Sequence, residues 1–312
     1  MKKKKNNSPI EEIICNSSED FLEKLSYGGS IYNMQDKHLI YRGLASDDYM
    51  LIPSVLRKKI KYPYNVFFQH NTENDFEYIQ IRKEYRVLKL FFDYCDLNNL
   101  YVPIVRRIRD NLFNDFDFEF DKIEEWISPD LYELAALAQH YGLPTRLMDW
   151  SYNILISLYF AVSERMKAEV NERNQGNIVI WALDTEFVEY QGSPIKLVRP
   201  LYCENPNLAA QKGLFTLWRE MNPIKTKFPL TIDTKRTNRQ SLDALLEQYC
   251  IECDNDITQL IHLYKIIIPA NNIQLLYKHL KKNGIDACSI FPDYYGVERC
   301  IKEDILSSLI KS

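Results

Sequence analysis

Two apolar helical patterns separated by a polar turn constrain this chain more than any other feature. Ser128-Pro129 supplies a hydroxyl cap and a proline suited to the first helical position, with Asp130 and Glu133 in the first turn. Leu131, Leu134, Ala135, Leu137 and Ala138 then repeat at helical spacing. Gly142 suits the left-handed residue that ends many helices, and Pro144 blocks continuation. A second helix follows, with Ile154, Leu155, Leu158, Tyr159, Phe160 and Val162 as core candidates and Asp149 or Ser151 as its cap. The pattern predicts a helical hairpin whose mouth carries Gln139, His140, Thr145, Arg146 and Asp149. Polar groups concentrated in a turn between rigid helices mark a binding or catalytic position.

Around this hairpin the remaining patterns give an α+β fold, helical in its first half and a mixed sheet with helices in its second. Residues 1–15 read as a mobile polar tail, and 16–312 as one large domain. Ser17-Ser18-Glu19-Asp20 starts an amphipathic helix, and His38 to Gly43 forms a short strand that breaks at its glycine. Asp75–Asp96 and Tyr101–Phe113 are predicted helices, and 114–125 an acid-rich surface loop. Strands are predicted at Asn177–Leu183, Ile195–Val198, Leu214–Trp218, Leu263–Ile268 and Ala287–Phe291, with a turn at Asn222-Pro223. Helices are predicted at Ser241–Cys250, Ile273–Lys282 and Val297–Leu309.

Composition narrows the function. A formal net charge of −4 argues against broad nonspecific nucleic-acid binding, while leaving room for a local basic pocket. The longest apolar runs are too short to span a bilayer, and polar residues follow the basic start Met1–Lys5 where a leader needs an apolar stretch. A cytoplasmic protein with no membrane partner is expected. Seven scattered cysteines fit reduced thiols, and the Cys250-Ile251-Glu252-Cys253 pair reads as a helix end with free thiols. A zinc site there needs further ligands such as His262 or Cys288, so no metal is assigned.

The segments "YRG" at 41–43, "LIPSVLR" at 51–57, "LAQHYGLPTRLMDWS" at 137–151, "ISLYFAV" at 156–162, "QKGLFT" at 211–216 and "GIDACSIFPDYYG" at 284–296 together resemble the motifs of the FRG domain, named for its Phe/Tyr-Arg-Gly tripeptide. The resemblance implies a bacterial or phage protein linked to defence or toxin-like systems. "YRG" is also similar to the opening motif of arginine-type ADP-ribosyltransferases, in which the arginine holds a dinucleotide. Neither a Ser-Thr-Ser-like strand motif nor a late Glu-x-Glu or Gln-x-Glu pair accompanies it, and GxGxxG and Walker-type sequences are absent.

Arg42 at a strand end, beside Gly43, suits a phosphate or carboxylate, with pairing to a structural carboxylate as the alternative. Arg57 adds a second cation or a surface charge. His140 has the right intrinsic pKa for acid-base work, or partners the helix C-terminus. Arg146 reaches the ligand or pairs with Asp149, three residues on, which orients the turn. Glu84, an acid among bases, is a catalytic candidate or part of a solvated face. Gln211 and Thr216 flank Gly213 and point to a pocket. The catalytic candidates are therefore His140, Arg42 and Glu84, with Arg42, Gly43, Arg57, Gln139, Thr145, Arg146, Asp149 and Gln211 around the ligand. An anionic small molecule or nucleotide is the expected partner, with no cofactor specified. The reading is a cleft for a nucleotide-like anion, in an NAD- or nucleotide-using enzyme or in a non-catalytic binding or protein-interaction module.

Overall fold

The computed structural model describes residues 8–35, 37–58, 60, 63–68, 75–110, 125–170, 176–190, 192–203, 205–219, 235–253 and 262–310. In chain order the elements begin β1 (Ile10–Ile14), α1 (Ser18–Leu25), α2 (Ser30–Met34), β2 (Leu39–Leu44), α3 (Tyr64–Phe67), α4 (Glu77–Leu97) and α5 (Arg106–Asp110). They continue with α6 (Tyr132–His140), β3 (Met148–Ser151), α7 (Ile154–Val170), β4 (Asn177–Asp184), α8 (Thr185–Glu189), β5 (Ile195–Val198), α9 (Pro206–Ala210) and β6 (Gly213–Trp218). The chain closes with α10 (Leu242–Cys253), β7 (Leu263–Pro269), α11 (Ile273–Lys282), α12 (Ala287–Ile290) and α13 (Tyr294–Leu309). No helix among the described residues is long and apolar enough to cross a membrane.

The fold is α+β, built on a seven-stranded mixed sheet in the order β1-β7-β4-β2-β3-β6-β5. β1 runs parallel to β7, whereas β2 is antiparallel to both β3 and β4, and β4 to β7. Two compact units divide the chain. The first comprises Met1–Leu51, Asp149–Leu214 and Ser241–Ser312, and the second Ile52–Met148 and Phe215–Gln240.

In the first unit α7 lies on the sheet and supplies much of the core. Leu158, Tyr159, Ala161, Val162 and Met166 are fully buried against Tyr41, Ile178, Ile180 and Ile266, with α11 residues Leu276 and Leu280. Each large aliphatic side chain so covered contributes about 1.5–3 kcal/mol relative to exposure. In the second unit, Val55, Leu56 and Phe68 form a small apolar cluster, and α4 presents Ile81, Tyr85, Leu88 and Phe92 as its buried stripe.

Several expectations change. Ile10–Ile14, within the stretch read as tail, pairs with β7, so the sheet draws strands from both ends of the chain and not from its second half alone. Gly43 sits inside β2, opposite Ile180, and does not end it. Met148–Ser151 is a strand between α6 and α7, which replaces the direct helical hairpin. The role expected of Asp149 or Ser151 at the start of α7 passes to Asn153, whose side chain accepts from Leu155 N at 2.9 Å. Ala287–Ile290 is helical because Asp286 and Ser289 form a reciprocal capping box, which a strand has no use for. Within Tyr101–Phe113 the helix begins only at Arg106. Residues 111–124 and the Asn222-Pro223 turn lie outside the described residues.

Candidate functional site

In the first unit, β2 delivers "YRG" with alternating faces. Tyr41 and Gly43 point towards α7, and Arg42 points to the opposite side. A Cβ on Gly43 would stand 1.8 Å from Ser157 O and 3.1 Å from Ala161 Cβ, so the glycine lets strand and helix touch. The close approach allowed by this glycine is to α7. Burial pushes the Tyr41 hydroxyl up to about 12, which leaves it protonated near neutrality.

Arg42 Nη1 donates to the Asp149 backbone oxygen at 2.7 Å and to Asp149 Oδ2 at 3.2 Å. The arginine side chain is 14% exposed and the aspartate 62%. No partner among the described residues takes Arg42 Nε or Nη2. The same cross-strand row runs from Arg42 to Trp181, Lys265 and Glu12, and Lys265 is paired with Glu12 at 3.4 Å. Gln211 contributes its backbone oxygen to Ser151 Oγ at 2.8 Å, and its side chain reaches Ile290 O at 3.5 Å. Thr216 is fully buried.

In the second unit, Arg146 is almost wholly buried and lies between two acids of α4. Its Nη1 donates to Glu77 Oε1 at 2.6 Å, and its Nε to Glu84 Oε2 at 2.9 Å and Oε1 at 3.0 Å. Trp126 Nε1 and Gln80 Nε2 complete the shell of Glu84 at 2.7 and 2.8 Å. Burial opposes the charge of Arg146, but the two carboxylates outweigh it and raise its pKa. Burial also raises Glu84, against the pull of Arg146 and of the Trp126 and Gln80 donors. This network buries both residues in one ion-pair cluster, which overturns the solvated face offered as one reading of Glu84. Arg146 takes Glu77 and Glu84, and Asp149 takes Arg42, so the local Arg146–Asp149 pair is replaced by three long-range ones.

Gln139 and Thr145 also meet, with the Thr145 hydroxyl donating to Gln139 Oε1. Thr145 Oγ1 accepts from Leu147 N at 3.1 Å, and its backbone exchanges bonds with Ser54 Oγ at 3.0 and 3.1 Å. These contacts fix the turn that carries Arg146. His140 is half-buried in the last turn of α6, edge-on to Tyr141 at 5.0 Å between ring centroids. Arg57 is exposed, with Nε on Ile52 O at 2.9 Å.

The model of the FRG domain matches residues 37–170. The chain contains an FRG domain. No curated protein and no solved structure matches the chain. Arg42, Asp149 and the Glu77–Glu84–Arg146 network all fall within the FRG match, whereas "QKGLFT" and "GIDACSIFPDYYG" lie beyond it.

A second buried network ties the FRG helix α7 to α13. Glu303 Oε1 accepts from Tyr159 at 2.9 Å, Ser163 at 2.5 Å and Arg299 Nε at 2.9 Å. The guanidinium also lies 4.7 Å from the Phe291 ring centroid. Asp293 caps α13 through Gly296 N at 2.9 Å, and Glu298 pairs with Lys302. The sequence reading did not single out Glu77, Gln80, Trp126, Arg299 or Glu303. Helical spacing offered a signal for the first two, because Glu77, Gln80 and Glu84 share the face of α4 that carries Ile81 and Leu88. Polar groups inside an apolar stripe require buried partners.

The raised Glu84 gives the FRG domain a pH dependence whose sign follows directly. An acid whose folded pKa exceeds its unfolded value favours folding below the unfolded value and loses that contribution as pH rises through the folded one. Melting temperatures of Glu84→Gln and wild type, compared from the ordinary carboxylate range upward, should diverge, with wild type losing stability relative to the variant. Parallel curves would show that Glu84 titrates normally.

Proposed function

We propose that the FRG domain uses Arg42, oriented by Asp149, to recognise a nucleotide-like anion. The supporting observation is the division of labour within one guanidinium: Nη1 is held on Asp149, while the Nε/Nη2 edge takes no described partner. That edge is the planar fork that carboxylates and phosphates engage with two hydrogen bonds. The exposed Asp149 carboxylate accepts hydrogen bonds and repels anions, so the preferred ligand couples an oxyanion to a hydroxyl donor. A nucleotide or sugar phosphate has that combination. The FRG resemblance adds the setting, a bacterial or phage defence or toxin-like system.

Binding without turnover is the reading best supported, because Glu84 is committed to Arg146 and Tyr41 stays protonated. The test is a thermal-shift panel of NAD, nucleoside triphosphates and inorganic phosphate, with product analysis on the same samples. A stabilising nucleotide should lose its effect on Arg42→Ala, since only ligand bound to the native state raises apparent stability. Arg42→Lys removes one of two charge-assisted bonds and should weaken affinity roughly tenfold. Equal stabilisation of wild type and Arg42→Ala would refute the proposal. Turnover that disappears in His140→Ala would replace binding alone with catalysis.

A further inference from the structure

We propose that Asp286, Cys288 and Cys300 form a binding site for one zinc-type divalent cation. The three ligand atoms lie within 4.8 Å of one another in the first unit. Local structure brings them there. Asp286 caps α12, and its Oδ1 accepts from Ser289 N at 3.0 Å. The other oxygen, Oδ2, is 3.9 Å from Cys300 Sγ. One carboxylate thus holds the helix with one atom and offers the second to the cluster. Cys288, in the first turn of α12, places its Sγ 3.8 Å from Gly296 O at the start of α13. The junction between the two helices is tight, because a Cβ on Gly296 would sit 1.8 Å from Phe291 O. Cys300 is about one turn beyond Gly296 on α13.

Tetrahedral zinc, with bonds of about 2.3 Å to sulfur and 2.0–2.2 Å to oxygen, sets its ligands roughly 3.3–3.8 Å apart. The observed cluster must therefore contract by about 1 Å at its widest, which a rotation of the exposed Cys288 side chain can supply. Two thiolates and one carboxylate select a borderline-soft ion over magnesium or calcium, which require shells of oxygen. Three protein ligands leave a fourth position for water. Binding transfers two thiol protons to the buffer and links α12 to α13 through the metal.

The experiment uses the reduced full-length chain and cobalt as the probe. One equivalent should produce the visible bands of tetrahedral thiolate coordination, and zinc should displace it. Cys288→Ser and Cys300→Ser should each abolish the bands. Asp286→Asn, which keeps the helix cap, should weaken cobalt binding at least tenfold, as loss of a direct ligand must exceed the roughly 10–100-fold effect of losing an outer-shell partner. A Cys250→Ser/Cys253→Ser double variant should bind as wild type. The proposal falls if no bands form, if they survive in the Cys288 or Cys300 variant, or if they vanish only in the double variant. It falls equally if the two thiols merely oxidise to a disulfide while the reduced chain takes up no metal.

Discussion

Arg146→Ala is expected to destabilise the second unit by about 3–5 kcal/mol, the usual cost of removing one partner from a buried ion pair. Against a typical domain stability of about 5–15 kcal/mol, such a loss is enough to threaten folding. The magnitude follows from what remains. Glu77 and Glu84 are about as buried as the arginine between them, and without it two carboxylates face each other in a low-dielectric interior. Trp126 and Gln80 still donate to Glu84, but Glu77 Oε2 has no hydrogen-bond partner among the described residues. Glu84→Gln should be far milder. It removes the excess negative charge of two acids around one base and retains an acceptor for Trp126. Replacing Arg146, Glu77 and Glu84 together by Met and Leu residues should recover most of the loss, because buried networks replaced whole by apolar groups are often neutral. Urea denaturation of the four proteins checks the ranking. Arg146→Ala within 1 kcal/mol of wild type would mean that the network contributes little.

The same network shows which parts of the chain could be read directly. Local patterns carried far: the Ser17 cap of α1, the Gly142 stop of α6, the apolar runs of β4 and β7, and the periodicity of α4 all name their elements, whereas Ser128 makes no cap bond and α6 starts after Leu131. Tertiary pairing decided the rest. Glu11 and Glu12 make β1 look like tail, and only the register with β7 gives its isoleucines a place. Ala287 to Phe291 is an apolar run too short for periodicity to separate strand from helix, and the Asp286 cap decides it. Arg42 and Arg146 could be singled out in the sequence, but their partners could not. Asp149 is 107 residues from Arg42, and Glu84 is 62 from Arg146. An arginine in a motif shows no preference between a ligand and a distant carboxylate until the fold supplies one of them.

Gly43→Ala is the second large effect, expected at about 3 kcal/mol or more, the upper end of the range for overpacking. The added carbon would meet backbone: Ser157 O at 1.8 Å and Ser157 C at 2.7 Å. A flexible side chain could swing aside, but α7 cannot retreat without opening the core around Leu158, Ala161 and Val162, all fully buried. Gly176→Ala is the control, since its nearest atom would be Asp47 Oδ1 at an ordinary 3.7 Å, and it should change little. Thermal melts of both variants decide the matter, and a Gly43→Ala protein as stable as wild type would show that strand and helix separate readily. The consequence reaches the ligand. Arg42 is the neighbouring residue on β2, so a strand displaced from α7 carries the guanidinium with it and loosens its bonds to Asp149. Anion binding should then fall in Gly43→Ala although the glycine touches no anion. The tripeptide is thus one device with two faces, a glycine that seats the strand on the helix and an arginine that this seating aims.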